Sequence, residues 1–523
     1  MQLHANINMK WQAIYKHRNG EWMILGTLMA FKVFLQYLLI HPSFDLHRDE
    51  YLHLDQADHL AWGFISVPPL TSWVALIIKA LGNDVFWVKF FPALFGALTI
   101  LFVWKIVEEL KGGLFAKIIS ALAIIFSVIL RINILFQPNS FEVMSWTASY
   151  YFLVRYLGRQ KTRDLYLLAI SLGLGFLNKY NVLFPMAGIG LAWLIFPERK
   201  LLFTKHLVGS AFLFLLVILP NLVWQINNGI PFIHHMQELS RTQLENMSRA
   251  GFIKEQLLFF LNSFFLLLLA FIAVVRFDEF KRYRMVPVSF VITLAIYVWF
   301  KAKGYYAVGL YPVLIAFGAV YLEYITASAN RLWRIASIIV ILILAFPLVK
   351  YAFPYMSAEK MSENREMYRE MGLLKWEDGK DHHLPQDFAD MRGWRELAYI
   401  TDSALNTLKE KDQVLVITNN YGQAGAINYY SESNVQAVSF NADYLNWFPT
   451  GKPLKHIIRV MDIDEDDDDP GRTQERSLCD TLILAGEVKD QLARERGTKV
   501  YVMKYLKGDI WPLLLQEIAD HKK

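Results

Sequence analysis

The sequence predicts a mostly α-helical protein, a polytopic membrane bundle of about 11 to 13 spans followed by a soluble C-terminal α/β domain. The chain of 523 residues is 54% hydrophobic and only 19% charged, a composition shifted from soluble toward membrane proteins. Apolar runs of bilayer length recur along the first two thirds of the chain and stop beyond Tyr351. We therefore predict two domains, residues 1–352, which include an external loop at 41–85, and residues 353–523.

Each predicted span holds about 20 predominantly apolar residues, the length of helix that crosses the hydrocarbon core. Eleven such runs, two of them short, lie near 22–40, 86–108, 113–131, 139–157, 164–178, 181–196, 206–226, 254–275, 285–300, 304–325 and 332–352. Residues 69–82 are too few for a span, so we expect a juxtamembrane or re-entrant helix there. No small-residue cleavage site follows the first run, which favours a retained span over a cleaved signal peptide.

Positive charges in the short loops predict the orientation of the bundle. If the N-terminus is cytoplasmic, most Lys and Arg residues of these loops fall on the inner side, for example at 155–163, 199–205 and 276–284. The positive-inside rule favours that orientation. The loop at 41–85 then lies outside, and an odd number of spans leaves the C-terminal domain outside as well.

The C-terminal part contains two short runs typical of buried strands, QVLVIT at 413–418 and DTLILAG at 480–486. Between them, the stretch NNYGQAGAINYYSE has the pattern of a turn that leads into a helix. A chain that alternates short strands with helical segments in this way indicates a small α/β domain.

Charge and cysteine content give no indication of nucleic-acid binding, of an EF-hand calcium site or of a disulfide. The net charge of +5 is distributed over short loops instead of one basic patch, which excludes nucleic acid as a predicted partner. The acidic run at 462–471 is not an EF-hand, because Asp467 occupies its glycine position and Thr473 its final glutamate position. We expect a solvated loop there. Cys479 is the single cysteine, which excludes an internal disulfide, and we predict that it is a buried apolar residue.

The stretch HRDEYLHLDQADHLAWGFISVPPL at 47–70 crowds carboxylates and imidazoles beside an apolar span. If residues 49–62 form a helix, Asp49 shares its polar face with His53, whereas Glu50 points among apolar neighbours. One carboxylate would stay ionised near solvent, and the pKa of the other would be raised by desolvation or lowered by a nearby cation. Enzymes use such a difference to separate acid and base roles. The alternative is an exposed amphipathic connector on the lipid headgroups.

Further charges lie near the predicted outer ends of the spans. Glu142 begins the fourth span, and because a carboxylate in hydrocarbon is costly, it should face the bundle interior. Arg131 and Lys179 end spans at the same membrane level, and Lys303 precedes the tenth span. Each cation alone could simply extend its charge to the interface. Because all of them lie on the side of the acidic stretch, we predict a site for an anionic group.

These motifs resemble those of the bacterial relatives of dolichyl-phosphate-mannose protein mannosyltransferases, in the GT-C superfamily that also includes the lipid A aminoarabinose transferases. The first external loop of that family typically carries Asp-Glu, Tyr, Gly-aromatic and Pro-Pro-Leu, which here are Asp49-Glu50, Tyr51, Gly63-Phe64 and Pro68-Pro69-Leu70. Further similar segments, in order, are FQPNSFE, GLGFLNKYNVLF, LPNLVWQINNGIPF and KGYYAVGLYPVL. The resemblance covers residues 20–325 and implies a GT-C-like bundle.

The resemblance also implies roles for single residues. Members of the family transfer a sugar from a polyprenyl-phosphate carrier to an acceptor at the outer face of the membrane, and no covalent sugar-enzyme step is expected, so the anomeric centre inverts. We expect Asp49 to be the general base, since it lies on the polar face, and Glu50 to have a supporting catalytic role. The candidates for holding the donor phosphate are Arg131, Lys179 and Lys303. The expected substrate-binding residues are Arg48, Tyr51, His53, His59, Glu142, Tyr305 and Tyr306.

The chain departs from the family pattern at three places. Some relatives carry Glu-Lys immediately before Pro-Pro-Leu, a pair that contacts metal and phosphate, whereas this chain has Ser66-Val67. We therefore assign no metal ligands and no cofactor, and leave a divalent metal open. Glu142 stands where an aspartate is usual, and the chain beyond residue 350 matches no motif of the family.

The sequence thus predicts a hexosyl- or pentosyltransferase of the cytoplasmic membrane, with its active site and C-terminal domain outside the cytoplasm. Its expected partners are a polyprenyl-phosphate sugar donor, a lipid, glycan or protein acceptor, and the bilayer. The alternative is a transporter or flippase of lipid-linked sugars, in which intramembrane charges would form a permeation route. The chain contains no paired repeat with broken helices, and its charges gather on one side, so the transferase is favoured.

Overall fold

The computed structural model describes residues 2–196, 204–242, 247–328, 330–433, 435–463 and 472–522. The chain divides into two compact units. A helical unit comprises Met1–Leu39 and Lys89–Phe353, and a mixed unit comprises Ile40–Val88 and Pro354–Lys523. The sequence analysis assigned the external loop at 41–85 to the membrane bundle, whereas the structure groups this loop with the C-terminal residues.

Helices account for most of the described chain. In chain order they are α1 (Gln2–Leu38), α2 (Arg48–Asp55), α3 (Leu70–Ala80), α4 (Val85–Glu109), α5 (Leu114–Ile125), α6 (Val128–Ile132), α7 (Pro138–Arg159), α8 (Thr162–Asn178), α9 (Leu183–Ile195), α10 (Lys205–Asn227), α11 (Pro231–Thr242), α12 (Arg249–Phe259), α13 (Phe264–Arg276), α14 (Met285–Trp299), α15 (Tyr311–Ile325), α16 (Leu332–Tyr351), α17 (Ala358–Glu363), α18 (Arg365–Glu370), α19 (Gln386–Ala389), α20 (Trp394–Asn406), α21 (Tyr421–Tyr430), α22 (Thr473–Leu478) and α23 (Trp511–His521). Short 3-10 segments at Tyr180–Val182 and Gly304–Leu310 precede α9 and α15.

Several helices have the length and composition of membrane spans. In the described part of the chain, four are long and apolar enough to cross a bilayer: Val85–Glu109, Lys205–Asn227, Gly304–Ile325 and Leu332–Tyr351. The pair Arg249–Phe259 and Leu261–Arg276, bent by 59°, makes a fifth if it counts as one span. Shorter apolar helices are Leu70–Ala80, Leu114–Ile125, Tyr180–Ile195 and Met285–Trp299. The chain is therefore a mostly helical multi-pass membrane protein, and the count of 11 to 13 spans stays a prediction.

Local chemistry decides where helices of the helical unit break and where they approach closely. The run at 113–131 is two helices instead of one, because the Ser127 hydroxyl accepts a hydrogen bond from the Ile129 amide and starts α6 as its N-cap. Gly318 of α15 lies directly against α13, where a Cβ would collide with the Leu266 carbonyl oxygen. Close helix packing at this point requires glycine.

The mixed unit contains a five-stranded sheet with strands β1 (Val414–Thr418), β2 (Ala437–Ser439), β3 (His456–Met461), β4 (Cys479–Glu487) and β5 (Lys499–Leu506). The strand order is β2-β1-β3-β5-β4. β1 pairs parallel with β2 and β3, whereas β5 pairs antiparallel with β3 and β4. The parallel pairing requires crossover segments, and α21 is the helix between β1 and β2.

The small α/β domain predicted from the sequence is confirmed. The runs at 413–418 and 480–486 form β1 and β4, and the stretch between them contains α21. Cys479 is buried in the apolar core beside the sheet, as predicted. Most of the acidic run at 462–471, and the loop bases at 199–200, lie outside the described residues.

Helix α2 is shorter than the predicted helix at 49–62, since it ends at Asp55 and the chain continues in single turns. The side chains of Asp55 and Gln56 are hydrogen-bonded to Asn428 and Asp443 of the C-terminal part. These tertiary hydrogen bonds fix the side chains at the end of α2, and the sequence of α2 alone does not reveal them.

Candidate active site

Lys179 lies at the centre of a buried polar cluster in the helical unit. It directly follows α8 in an extended conformation. Its ammonium donates hydrogen bonds to Asn139 Oδ1 (2.7 Å) and Glu142 Oε2 (3.2 Å), both in the first turns of α7. The Glu142 side chain is 4% exposed and that of Lys179 19%. Glu142 faces the interior, as its cost in hydrocarbon predicts, whereas the Lys179 side chain keeps a small exposed fraction.

Asn181 completes this cluster from the 3-10 segment that precedes α9. Its side-chain amide donates to Glu142 Oε1 (2.7 Å) and to the Tyr306 carbonyl (3.2 Å). The Tyr297 hydroxyl in turn donates to Asn181 Oδ1 (2.9 Å). Both Glu142 oxygens thus have hydrogen-bond donors. We call Asn139, Glu142, Lys179, Asn181 and Tyr297 the lysine cluster. Asn181 was not predicted from the sequence, although it stands two residues after the lysine in the motif GLGFLNKYNVLF.

Two tyrosines of the 3-10 segment Gly304–Leu310 lie beside the same ammonium. Lys179 Nζ is 4.5 Å from the ring centroid of Tyr306 and 5.2 Å from that of Tyr305, within the range of cation–π attraction. The Gln256 side chain donates to the Gly304 carbonyl at 2.9 Å, which holds the start of the segment. The structure therefore brings Lys179, Glu142, Tyr305 and Tyr306 together, as the sequence analysis expected of a shared site.

The other two predicted phosphate-binding cations lie on separate elements of the helical unit. Arg131 is in the last turn of α6, and Lys303 precedes the 3-10 segment; both are half-buried. A buried pair on α1, which sequence reasoning missed, contacts the residue before Arg131. Lys32 Nζ donates to Gln36 Oε1 (2.6 Å), and the Gln36 amide donates to the Leu130 carbonyl (3.1 Å).

The start of α2 places the adjacent carboxylates Asp49 and Glu50 in different environments. His47 is the N-cap, and its backbone N–H donates to Glu50 Oε2 at 2.7 Å. The His47 side chain in turn accepts from the Glu50 backbone, which makes a capping box, and His47 Nδ1 also accepts from the Asp49 amide (3.2 Å). The Glu50 side chain is buried inside this cap. Its contacts are those of a group that fixes the beginning of the helix.

Asp49 has a different environment, with 33% of its side chain exposed. The Tyr421 hydroxyl, from the first residue of α21, donates to Asp49 Oδ1 at 2.6 Å. Burial alone would raise the pKa of Asp49, but the charges of His47 and Arg48 and the hydrogen bond from Tyr421 outweigh it and hold that pKa below its ordinary value. Asp49 is therefore an ionised, accessible carboxylate.

Two further carboxylates hold the external loop to the C-terminal part. Asp55 Oδ2 accepts from Asn428 Nδ2 and from the Tyr444 hydroxyl, both at 2.7 Å. Asp443 accepts from the Ile65 amide and from Gln56 Nε2, also both at 2.7 Å. Burial raises the pKa of each carboxyl to about 6, and the hydrogen bonds only partly oppose it. We call Asp49, Asp55 and Asp443, with their donors, the carboxylate cluster.

The remaining predicted loop residues differ in accessibility. Tyr51 is fully buried against Trp394 and Tyr430, and His53 is buried with Nδ1 3.0 Å from Gln56 Oε1. The expected polar face of α2 is thus covered by the C-terminal part, because α21 packs on it. Both side chains pack within the fold of the mixed unit, and their predicted contact with substrate stays a prediction. The alternative of an exposed amphipathic connector is also wrong.

Arg48 and His59 remain half-exposed. The Arg48 guanidinium lies 4.4 Å from the Tyr421 ring centroid. The His59 ring stacks on Trp447 with centroids 4.3 Å apart, and burial lowers the pKa of this imidazole. Both side chains therefore keep a surface on which a polar ligand could bind.

Among the residues that the structure describes, no three His, Cys, Asp or Glu side chains converge in a way that could hold a metal ion. The carboxylates above are held by amide and hydroxyl donors, or by the Lys179 ammonium.

Comparisons with known proteins agree with this architecture. The dolichyl-phosphate-mannose-protein mannosyltransferase family model matches residues 66–224. The chain is 25% identical over 228 residues to the lipid A galacturonosyltransferase RgtD of Rhizobium johnstonii, a match that covers 43% of this chain and 46% of the relative. The chain thus spans about half the length of that relative.

The fold as a whole is similar to that of ArnT from Cupriavidus metallidurans. The apo crystal structure of ArnT superimposes with a TM-score of 0.62 at 12% identity, over 93% of this chain and 98% of ArnT. The structure of ArnT bound to undecaprenyl phosphate gives 0.61 at 14% identity, over 92% and 98%. The likeness therefore extends over both the helical and the mixed unit.

Proposed function

We propose that this chain is a membrane glycosyltransferase of the GT-C superfamily that moves a sugar from a polyprenyl-phosphate donor to a lipid, glycan or protein acceptor. The observation that carries the proposal is Lys179 inside an apolar helical unit, its side chain 19% exposed, held by Glu142 and flanked by two tyrosine rings. Charged groups within an apolar helical unit are rare and mark functional sites, and an ammonium there suits the phosphate of a lipid-linked donor.

The relatives support this choice of substrate class. RgtD is a lipid A galacturonosyltransferase, and ArnT has been crystallised with undecaprenyl phosphate. A donor on undecaprenyl phosphate and an acceptor in the lipid A class are therefore the first substrates to test. Acceptors of the glycan and protein classes follow, since the matched family model is that of a protein mannosyltransferase.

In the proposed reaction Lys179 binds the donor phosphate. When the bond between the anomeric carbon and the phosphate oxygen breaks, negative charge grows on the phosphate, and a charge-assisted hydrogen bond stabilises it. Tyr305 and Tyr306 would limit water around the ammonium, and Glu142 would hold it in place. Arg131 and Lys303 are parallel candidates for the same phosphate.

Asp49 is the proposed general base. The acceptor hydroxyl attacks the anomeric carbon, its proton passes to the Asp49 carboxylate, and the polyprenyl phosphate leaves, so the anomeric centre inverts. The ionised state and partial exposure of Asp49 support this role. Glu50 supports it through the cap that fixes the start of α2, and Arg48 and His59 are proposed to contact the acceptor.

The experiment is a transfer assay with the full-length protein in proteoliposomes. Synthetic undecaprenyl-phosphate mannose, galacturonic acid and aminoarabinose would be offered as donors with lipid A as acceptor, and products read by mass spectrometry. We expect product from at least one donor, and with Lys179→Met a donor KM raised by about tenfold to a hundredfold. Mass spectrometry of lipid A, glycoproteins and envelope glycans from a deletion strain covers other acceptors. Movement of the donor lipid across the bilayer, with no product from any acceptor, would instead identify a flippase.

We also propose that the protein lies in the cytoplasmic membrane with its N-terminus inside and residues 41–85 and 354–523 outside. Ser403 is exposed on α20, so Ser403→Cys should react with an impermeant maleimide in cells with a permeabilised outer membrane. Gln160→Cys, in an exposed loop predicted to be cytoplasmic, should react only after lysis. The reverse labelling pattern would overturn the orientation.

A further inference from the structure

The C-terminal α/β part contributes a side chain to the proposed catalytic carboxylate. We propose that Tyr421 is a positioning residue for Asp49, so that the C-terminal part supplies the hydrogen bond that orients the base on the external loop. The Tyr421 hydroxyl donates to Asp49 Oδ1 at 2.6 Å, across a separation of 372 residues. This inference rests on the proposed function, because it assigns Tyr421 a role through Asp49.

Tyr421 is itself held at a defined place by the start of α21. Asn420 is the N-cap, and its side-chain oxygen accepts from the amides of Gly422 (3.0 Å) and Gln423 (3.1 Å). The Gln423 side chain accepts from the Asn420 amide and donates to Glu495 Oε2 at 2.6 Å. This capping box ties the first turn of α21 to the rest of the mixed unit. The phenol therefore projects from a fixed helix start.

Close approach of α21 to α2 depends on two glycines. A Cβ on Gly422 would lie 3.0 Å from Arg48 Cβ, and a Cβ on Gly425 would lie 2.5 Å from Tyr51 Cβ. Both distances are shorter than ordinary carbon contacts. The glycines thus let the hydroxyl of Tyr421 reach the carboxylate, and the Arg48 guanidinium covers the ring of the same tyrosine.

In the pair of Tyr421 and Asp49, the tyrosine is the hydrogen-bond donor and the aspartate is the acceptor. Burial raises the pKa of Tyr421 well above its ordinary value, so the phenol stays protonated and donates. Asp49 stays ionised for the reasons given above. A hydrogen bond to one carboxylate oxygen restricts rotation about the Cβ–Cγ bond of the aspartate. The base is then pre-oriented before the acceptor binds, which is the geometric requirement for efficient proton transfer.

The test is Tyr421→Phe, which removes the hydroxyl and leaves the ring under Arg48. Transfer would be measured with the undecaprenyl-phosphate sugar that the unaltered protein uses fastest. We expect kcat to fall by about tenfold to a hundredfold, the range for loss of a hydrogen bond to a charged group, with the KM for donor unchanged. The acidic limb of the kcat profile should move to higher pH, since the pKa of Asp49 loses a lowering contribution.

The matched control is Tyr429→Phe on the same helix. Its hydroxyl donates to the Asn83 carbonyl at 2.6 Å, so this variant loses an equally short hydrogen bond that does not involve Asp49. We expect its kcat and pH profile to match those of the unaltered protein. An equal loss in both variants would reduce Tyr421 to a structural role and overturn the proposal.

Asp49→Asn separates failure of this inference from failure of the proposed function. If Asp49→Asn retains transfer, Asp49 is not the base and both assignments fall. If Asp49→Asn is inactive while Tyr421→Phe has the kcat and pH profile of the unaltered protein, only the positioning role is overturned. The double variant Asp49→Asn with Tyr421→Phe gives a further test. If its residual transfer equals that of Asp49→Asn alone, the tyrosine acts through the aspartate, which supports the proposal.

Discussion

The lysine cluster of the helical unit and the carboxylate cluster of the mixed unit stabilise buried acidic groups by different means. Glu142 has an ammonium group and an amide as partners. Asp55 and Asp443 instead accept hydrogen bonds from amides and a phenol. A cation stabilises the ionised form directly, whereas neutral donors compensate burial only in part. The two clusters therefore hold their buried carboxylates with different kinds of partner.

The two clusters also suit two different chemical tasks. A cation that pairs with a buried carboxylate can also attract the phosphate of a ligand, which suits binding of an anionic donor. A carboxylate beside neutral donors and a nearby guanidinium remains an acceptor of protons, which suits activation of a hydroxyl. Within the carboxylate cluster, Asp49 is the member whose pKa is lowered, while that of Asp55 is raised.

The largest effect expected is that of Asp49→Asn. Loss of a positioned base typically costs about a hundredfold to ten-thousandfold in rate, so single-turnover transfer should be nearly abolished with donor binding retained. Asp58→Asn, an exposed change on the same loop, is the control and should be neutral. Glu50→Gln should keep transfer, because its amide oxygen can still accept from the His47 amide. A dead Glu50→Gln beside an active Asp49→Asn would reverse the two roles.

Lys179→Met, in the lysine cluster of the helical unit, should have the next largest effect. Without the ammonium, the KM for the polyprenyl-phosphate donor should rise by about tenfold to a hundredfold, the worth of a charge-assisted hydrogen bond. Glu142 would also be left buried without its cation, at a cost of roughly 3 kcal/mol in the free energy of unfolding.

Two variants separate these consequences of Lys179→Met. The double change Lys179→Met with Glu142→Gln should recover stability without recovering donor use. Lys117→Met removes a buried lysine that pairs with Glu21 at 2.8 Å, and should leave donor KM unchanged. Full donor use in the double variant would show that Lys179 does not bind the phosphate.

The pH dependence of stability tests the carboxylate cluster. The pKa of Asp55 is raised from 3.8 to about 6 in the folded protein, so the folded state binds this proton more tightly. Its stabilising contribution is present below about pH 4 and is lost as the pH rises to about 6. Asp55→Asn should reduce this pH-dependent loss in the free energy of unfolding by up to about 3 kcal/mol. The measurement is thermal unfolding, followed by tryptophan fluorescence, from pH 4 to 7. A slope in Asp55→Asn equal to that of the unaltered protein would contradict the shift.

The smallest effect expected is that of Gly425→Ala, which tests how closely α21 must approach α2. The added methyl would meet Tyr51 and the Tyr444 hydroxyl, so the free energy of unfolding should fall by about 1–3 kcal/mol. Gly190→Ala on α9 is the control, since a Cβ there meets nothing within 4 Å. Equal stability of both variants would show that the two helices can separate at no cost.

Part of the lysine cluster could be found from the sequence. Glu142 and Lys179 were recognised because a charge in an apolar run is conspicuous and expensive, and the neighbouring Tyr305 and Tyr306 came from the resemblance to the family motif KGYYAVGLYPVL. Asn139 and Asn181 were missed as partners, since a neutral amide near the end of an apolar run has many uses. The carboxylate cluster was recognised only on the α2 side. Its donors, Tyr421, Asn428 and Tyr444, lie more than 370 residues away along the chain.

By itself the sequence determined the membrane class, the helical bundle, the small α/β domain after it and the two sets of charged residues. It did so because apolar length, charge cost and strand pattern are properties of local segments. Only the tertiary structure decided that the external loop belongs to the same compact unit as the C-terminal part. It also decided that Tyr51 and His53 are covered and that a tyrosine from α21 contacts Asp49. Such contacts depend on how α21 packs on α2, and neither helix carries a local pattern that specifies its partner.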